Sequence, residues 1–230
     1  MLDIKQLHFA YGGVKALTDI NMHMAPGQMT CIMGRNGVGK TTLMRNVMGL
    51  LRGQGSIELD GQDINHLPAH ARARRGIALV PQGRMIFPKI TVEENLKIGL
   101  QARADGKNKI PEEVYDTFPI LKDFRQRSGG DLSGGQQQQL AIARAMVGQP
   151  KVMLLDEPTE GIQPNVIQQI GHVLRELVTQ RGMTVVLVEQ YLDFVKEFGD
   201  QVYIMNRGQV VMHVAAEDMS PELVHDHLSV

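Results

Sequence analysis

The sequence predicts an α/β fold with a mostly parallel core sheet, an antiparallel β-subdomain and an inserted helical subdomain. Three observations lead there. A glycine-rich turn, Gly34-Arg35-Asn36-Gly37-Val38-Gly39-Lys40-Thr41, stands between an apolar run of strand length and a segment of helical periodicity. Two further continuous apolar runs, 152–155 and 184–188, are each followed by a helical pattern, as parallel strands covered on both faces require. Residues 83–150 carry helical patterns and no strand.

Taken in order, 2–9 and 20–24 alternate partially around a Gly12-Gly13 turn and read as short strands. Pro26-Gly27 turns the chain into the apolar run Met29-Thr30-Cys31-Ile32-Met33, and 42–51 follows the loop with helical spacing. Residues 56–61 read as an edge strand. The stretch 68–75 is helical and basic, and its Arg72, Arg74 and Arg75 read as a solvated face. Residues 77–80 form a short buried strand ended by Pro81. Helices are predicted over 92–103, 112–118 and 135–147, with Thr91 as an N-cap ahead of two acids and a polar loop over 106–109. Helices over 164–180 and 192–198 follow the two buried strands. A hairpin, 201–205 and 209–213, turns at Asn206-Arg207-Gly208, and a last helix starts near Ser220-Pro221. The predicted division is 1–82 with 151–230 as the ligand-binding core and β-subdomain, and 83–150 as the helical subdomain.

The chain has 230 residues, 43% of them hydrophobic, and a formal net charge of −1. That fits one α/β domain with an insert, or two small domains, and supplies no global field for nucleic acid or anionic lipid. Cys31 is the one cysteine, in an apolar strand, and offers no disulfide framework. His225 and His227 have no metal-ligand pattern and read as surface residues. No apolar run approaches the ~20 residues that span a bilayer, and Met1–Lys5 has no signal-peptide character. The chain is expected to be soluble by itself, any membrane link running through a partner.

The loop pattern G-x-x-x-x-G-K-[ST] carries the chemistry. Its glycines let the backbone aim successive N–H groups at phosphate oxygens, and the helix that follows adds its positive end. Lys40 can reach the outer phosphates and the Thr41 hydroxyl can serve a magnesium ion. The run 152–155 ends in Asp156-Glu157. A carboxylate at a strand end beside such a loop completes a magnesium site, which suits Asp156. Glu157, one residue on, can orient or deprotonate an attacking water. Leu132-Ser133-Gly134-Gly135-Gln136 opens a helix and makes a second anion site, or an ordinary capped helix start. One nucleotide hardly needs two such sites, but two chains arranged head to tail would place the second over the partner's γ-phosphate.

In order and kind, Gly34–Thr41, Gln82, Leu132–Gln136 and Asp156-Glu157 resemble the ATP-binding subunits of ABC transporters over essentially the whole chain. The resemblance implies a P-loop NTPase fold of the ABC ATPase type, with ATP and Mg2+ as ligands. It puts Tyr11 on the adenine and Gly34 through Thr42 (Arg35, Asn36, Gly37, Val38, Gly39, Lys40 and Thr41 between them) on the phosphates. It puts Thr41, Gln82 and Asp156 on the metal, with Gln82 sensing the γ-phosphate. Ser133, Gly134, Gly135 and Gln136 would face the other subunit's ATP, and Glu157 would be the catalytic base. The chain departs from the usual pattern at Gln163, where the family usually has Asp, and at Gln190, where it usually has His. Gln190 would hold the γ-phosphate or the attacking water without titrating, or simply cap its strand end.

Val188-Glu189-Gln190 and Pro81-Gln82-Gly83-Arg84 resemble the branched-chain amino acid type of importer ATPase. The stretches 83–88, 132–140 and 157–164 most resemble the urea-transporter subunit. The expected function is ATP hydrolysis for import of urea or short amides, with branched-chain amino acids as the alternative. A soluble ABC ATPase of translation or DNA repair would usually have a second ATPase module or a long coiled-coil insert, and a basic face. Expected partners are a second ATP-binding subunit (the same chain or a related one), transmembrane permease subunits and, indirectly, a periplasmic solute-binding protein; nucleic acid is not expected. The expected location is the cytoplasmic face of the inner membrane. The surface around Met85 to Pro88 and the helix from Val92 are read as docking the permease, with core as the other reading of Ile86 and Phe87.

Overall fold

The computed structural model describes residues 1–220, 222 and 223. Apart from Glu222 and Leu223, the helix expected from Ser220-Pro221 onward lies outside the described residues, as do His225 and His227.

Among residues 1–220 ten strands and eight α-helices follow in the order β1 (Leu2–Tyr11), β2 (Val14–Met24), β3 (Met29–Gly34), α1 (Lys40–Met48), β4 (Gln54–Leu59), β5 (Gln62–Asp63), α2 (Ala69–Arg74), β6 (Ile77–Val80), α3 (Val92–Ile98), α4 (Glu112–Thr117), α5 (Pro119–Asp123), α6 (Gly134–Val147), β7 (Val152–Asp156), α7 (Pro164–Arg181), β8 (Thr184–Val188), α8 (Leu192–Phe198), β9 (Gln201–Asn206) and β10 (Gln209–Ala215). Among the described residues there are two sheets. One is six-stranded, ordered β10-β9-β3-β8-β7-β6, parallel except for the β9–β10 hairpin. The other is four-stranded and antiparallel, ordered β2-β1-β4-β5.

Strand periodicity decides what each face of the larger sheet buries. Successive side chains point to opposite faces. Cys31, Met33, Met153, Leu155, Val185 and Leu187 therefore pack with α6, α7 and α8. Ile32, Leu154, Val186 and Val188 pack with α1 and the antiparallel sheet. β3, β7 and β8 are buried along their whole length, which is why they read as continuous apolar runs. Cys31 is fully buried, as its sequence context suggested, and burial pushes its thiol well above the ordinary range.

Several elements differ from expectation. β2 begins at Val14, six residues early. Its ladder to β1 shifts register between Ile4 and Leu7, with Gln6 and Asp19 both at positive φ. Side chains fill the gaps there, Asn21 accepting from Gln6 N at 2.9 Å and His8 from Asp19 N at 3.2 Å. Such bulges break the alternation by which a strand is recognised. The helix expected over 92–103 tightens into a 3-10 turn at Gly99, a poor helix former. α5 was not anticipated.

Arg72 is the main correction, for it is not on a solvated face. It is 1% exposed. Its guanidinium donates to Asn46 O at 2.8 Å, Val47 O at 2.9 Å, Leu67 O at 3.1 Å and Asn65 O at 3.1 Å. Two of these carbonyls belong to the last turn of α1, whose C-cap N–H at Gly49 reaches Asn46 O at 3.0 Å but not Val47 O. Arg72 thus closes the helix that carries Lys40. Removing it strands buried carbonyls, so Arg72→Met should lower unfolding free energy by about 3 kcal/mol. Arg74→Met and Arg75→Met, at exposed positions, should stay within about 0.5 kcal/mol of wild type. Urea unfolding of the three variants measures the contrast, and equal stability of all three would return Arg72 to the surface.

Candidate functional site: a nucleotide-binding centre

The loop between β3 and α1 needs glycine at a specific point. Gly39 has φ 109°, and a Cβ there would lie 2.6 Å from Ala16 O. No other residue accepts both conditions, and they bring α1 to its start at Lys40 with free N–H groups facing the loop. Lys40 is 5% exposed. Its ammonium donates to Gly34 O at 2.6 Å and Arg35 O at 2.9 Å, folding the loop around the charge. Burial lowers its pKa, while Glu157, Asp156 and Glu189 oppose that shift.

Asp156 ends β7. β7 is not the immediate neighbour of β3, because β8 lies between them. The Thr41 hydroxyl nevertheless stands beside the carboxylate and favours its charged form. Asp156 is 3% exposed, and its Oδ1 is buried with no hydrogen-bond partner. An orphaned carboxylate oxygen beside a hydroxyl suits a hard divalent cation. Among the described residues no cluster of three His, Cys, Asp or Glu could hold a metal alone. That fits Mg2+, which ordinarily takes one or two protein groups and completes its shell with water and substrate phosphates.

Glu157 adopts φ 49°, a left-handed conformation costing a non-glycine residue about 1 kcal/mol. Its backbone N–H donates to Val188 O at 3.0 Å, pinning it to β8. Two glutamine amides hold its carboxylate. Gln190 Nε2 donates to Oε1 at 2.7 Å, and Gln82 Nε2 donates to Oε2 at 3.0 Å. The same Gln190 nitrogen donates to Asn36 Oδ1 at 2.9 Å, tying the phosphate loop to Glu157. Gln190 is exposed, and its amide nitrogen joins the phosphate loop to Glu157.

Glu189, not anticipated as functional, fixes Gln190. It is 4% exposed, and its carboxylate accepts from Gln190 N at 2.7 Å, Tyr191 N at 3.1 Å and Thr159 Oγ1 at 2.6 Å. An acid directly after four apolar residues was its available signal. Arg84 was also missed. It donates to Gln137 Oε1 at 3.4 Å and Glu160 O at 3.3 Å, while Arg144 donates to Met85 O at 2.8 Å.

Tyr11 is half exposed at the end of β1, edge-on to Phe9 at 4.8 Å, with its hydroxyl 3.4 Å from Thr42 Oγ1. It stands beside the phosphate loop. Ser133 caps α6 reciprocally with Gln136, whose side chain accepts from Ser133 N at 2.9 Å. Gly135 is required by close approach, since a Cβ there would meet Val166 at 2.8 Å. None of the hydrogen bonds among the described residues joins 133–136 to 34–42. The structure thus gathers Asn36, Lys40, Thr41, Gln82, Asp156, Glu157 and Gln190 into one site, with Tyr11 at its edge, and leaves Ser133–Gln136 unconnected to it within one chain.

A profile of the ABC transporter family matches residues 17–160. The chain belongs to the ABC transporter family. This ABC ATPase is 38% identical over 215 residues to the high-affinity branched-chain amino acid transport ATP-binding protein BraG of Pseudomonas aeruginosa, covering 93% of this chain and 92% of the relative. It is 35% identical over 222 residues to a probable branched-chain amino acid transport ATP-binding protein, LivF, of Archaeoglobus fulgidus (95% and 94% covered). It is 34% identical over 216 residues to the lipopolysaccharide export system ATP-binding protein LptB of Haemophilus influenzae (92% and 89% covered). A nucleotide-free ATP-binding cassette from an ABC transporter superimposes with a TM-score of 0.85 at 27% identity, covering 100% of this chain and 95% of that one. A cassette in its ADP conformation gives 0.84 at 28% identity, with 98% and 97% covered. The fold is that of an ABC cassette, and the activity is the ATP hydrolysis of a transporter's ATP-binding subunit. No helix among the described residues is long and apolar enough to cross a membrane.

The buried acid of the Asp156-Glu157 pair makes a checkable claim. Burial raises the Asp156 carboxyl above the usual carboxylate range; Glu157 adds to that, while the Thr41 hydroxyl and the charges of Lys40 and Arg45 pull it back. The folded chain thus holds this proton more tightly than the unfolded chain. Stability from this group is present below the unfolded pKa, about 4, and is lost as pH rises through the folded value. In nucleotide-free protein, Asp156→Asn should melt at or above the wild-type temperature at pH 7, and that advantage should shrink on acidification. Thermal scans across pH test it; a lower melting temperature at pH 7 would mean the carboxylate stabilises the fold.

Proposed function

We propose that this ABC ATPase powers import of branched-chain amino acids, in place of the urea or short amides that the motif stretches suggested. The observation that carries this is the near full-length similarity to BraG, with LivF beside it; both are named for branched-chain amino acid transport, and no relative named above is a urea transporter.

In this reading 1–82 and 151–230 form the ATP-binding core and 83–150 the helical subdomain. The phosphate loop and Lys40 hold the phosphates, and Tyr11 stacks on the adenine. Thr41, Asp156 and Gln82 would hold magnesium, which neutralises phosphate charge when bound. Glu157 accepts the proton of the attacking water as its oxygen bonds the γ-phosphorus and the bond to the ADP oxygen breaks. Gln190 orients that water or the γ-phosphate through its amide, which does not titrate near neutrality. Ser133, Gly134, Gly135 and Gln136 serve the nucleotide of a second ATP-binding subunit, arranged head to tail.

The same reading places the chain at the cytoplasmic face of the membrane, against permease subunits fed by a periplasmic solute-binding protein. Met85 and Phe87 are 61% and 49% exposed, while Ile86 packs against the core. The two exposed side chains sit three and five residues past Gln82 and are proposed to dock the permease.

Glu157→Gln should bind ATP yet hydrolyse it about 10²–10⁴-fold more slowly. Light scattering of that variant with ATP should report a dimer, alone or with a partner ATPase. Near-normal turnover removes Glu157 from its role, and absence of any dimer removes the head-to-tail arrangement. In the reconstituted transporter, ATP-dependent uptake of leucine without uptake of urea is expected, and Met85→Asp with Phe87→Asp should abolish it while the cassette stays folded. Urea uptake would restore the displaced reading, and unimpaired leucine uptake in the double variant would move the docking surface.

A further inference from the structure

We propose that Glu160 is a positioning residue for Gln82, fixing which end of its amide faces the reacting atoms. This rests on the roles given above to Gln82 and Glu157. The Gln82 amide nitrogen carries two N–H groups, and both are directed at carboxylates: Glu157 Oε2 at 3.0 Å and Glu160 Oε2 at 3.0 Å. Two negative acceptors on one side leave the amide a single acceptable orientation. The reversed amide would set its own oxygen against both carboxylates. Gln82 Oε1 is thereby turned away from both acids and kept available as an acceptor.

Glu160 is held for this task from its other end. Its backbone N–H donates to Glu157 O at 3.3 Å, closing the turn after β7, and its carbonyl accepts from Arg84 at 3.3 Å. The segment 82–84 is therefore fastened to Glu160 twice, once by Gln82 onto its carboxylate and once by Arg84 onto its carbonyl. Glu160 is exposed, and Gln82 supplies the one hydrogen bond its side chain makes among the described residues. Two acids, Glu157 and Glu160, converge there on one neutral amide. That arrangement costs repulsion and adds nothing to the core, so its product is orientation.

Without Glu160, Gln82 keeps one charged acceptor and gains a second orientation. Among the described residues the Glu160 side chain makes no hydrogen bond to the assigned site other than to Gln82. Loss should therefore fall on kcat rather than on KM. Glu160→Gln preserves a carbonyl acceptor at the same reach and should rescue.

The test uses the full chain. In nucleotide-free protein, the side-chain NH2 resonances of Gln82, identified by their loss in Gln82→Ala, should move in Glu160→Ala and lie between the two in Glu160→Gln. In steady-state ATPase assays, Glu160→Ala should lower kcat about tenfold with KM for ATP within about twofold, and Glu160→Gln should recover about half or more of wild-type kcat. Unmoved Gln82 resonances in Glu160→Ala overturn the inference. So does wild-type kcat in that variant, or a Glu160→Gln variant as slow as Glu160→Ala. The resonance is read without nucleotide, so it stands or falls separately from the turnover of Glu157→Gln.

Discussion

The arrangement depends on a buried ammonium whose hydrogen bonds all go to carbonyls of its own loop. Lys40 is anchored to Gly34 and Arg35 and sits within the field of Asp156, Glu157 and Glu189. A buried charge is costly unless its donors are satisfied and opposite charge is near. The fold meets both conditions with strand ends. β3 delivers the carbonyl of Gly34, β7 delivers Asp156, and β8 leads directly into Glu189. The sheet order brings these three carboxyl ends together, where an open parallel sheet presents its ligand-binding crevice. Asp156, Glu157 and Glu189 thus face Lys40 from these strand ends, and Arg45 adds a second positive charge near Asp156.

Around that charge runs a chain of amides and carboxylates: Asn36, Gln190, Glu157, Gln82 and Glu160, each joined to the next at 2.7–3.0 Å. Its members come from four separate segments: the phosphate loop, the end of β6, the turn after β7 and the end of β8. Substituting glutamine for histidine at 190 suits this chain. An amide can donate to two acceptors at once and keeps its charge state across neutral pH, so the constraint on Glu157 does not titrate through Gln190. Both oxygens of Glu157 are occupied by donors, and any group that draws Gln82 away alters what Glu157 can accept.

Much of this was legible in the residues, for identifiable reasons. The phosphate loop is a contiguous pattern whose spacing is its geometry, and Asp156-Glu157 is marked by the apolar run before it. Long periodic helices and fully buried strands announce themselves. The features that escaped are those made by distance in sequence. Arg72 reads like its neighbours Arg74 and Arg75, and only the fold shows that its face of α2 meets the end of α1. Glu160 and Arg84 lie in stretches that carried a family resemblance but no role for either residue; their partners lie 78 and 76 residues away along the chain. The bulges at Gln6 and Asp19 erase the alternation that would have revealed all of β2.

The segment after Gln82 is where local strain and long-range connection coincide. Arg84 and Met85 both hold positive φ, an unfavourable state for residues with side chains. They are kept there because their polar groups are claimed from elsewhere: Arg84 reaches Gln137 of α6 and the carbonyl of Glu160, and Arg144 of α6 takes the carbonyl of Met85. The helix that opens with Ser133 is thus bonded to the segment that positions Gln82. Met85 and Phe87 project from the same few residues, and the Phe87 ring lies under the Arg144 guanidinium at 5.5 Å. A strained segment fastened to a helix on one side and to the Glu157 amide clamp on the other has few ways to move alone. Met85 and Phe87 thus lie in a segment bonded both to Glu160, the partner of Gln82, and to α6, with Ile86 between them packed on the core.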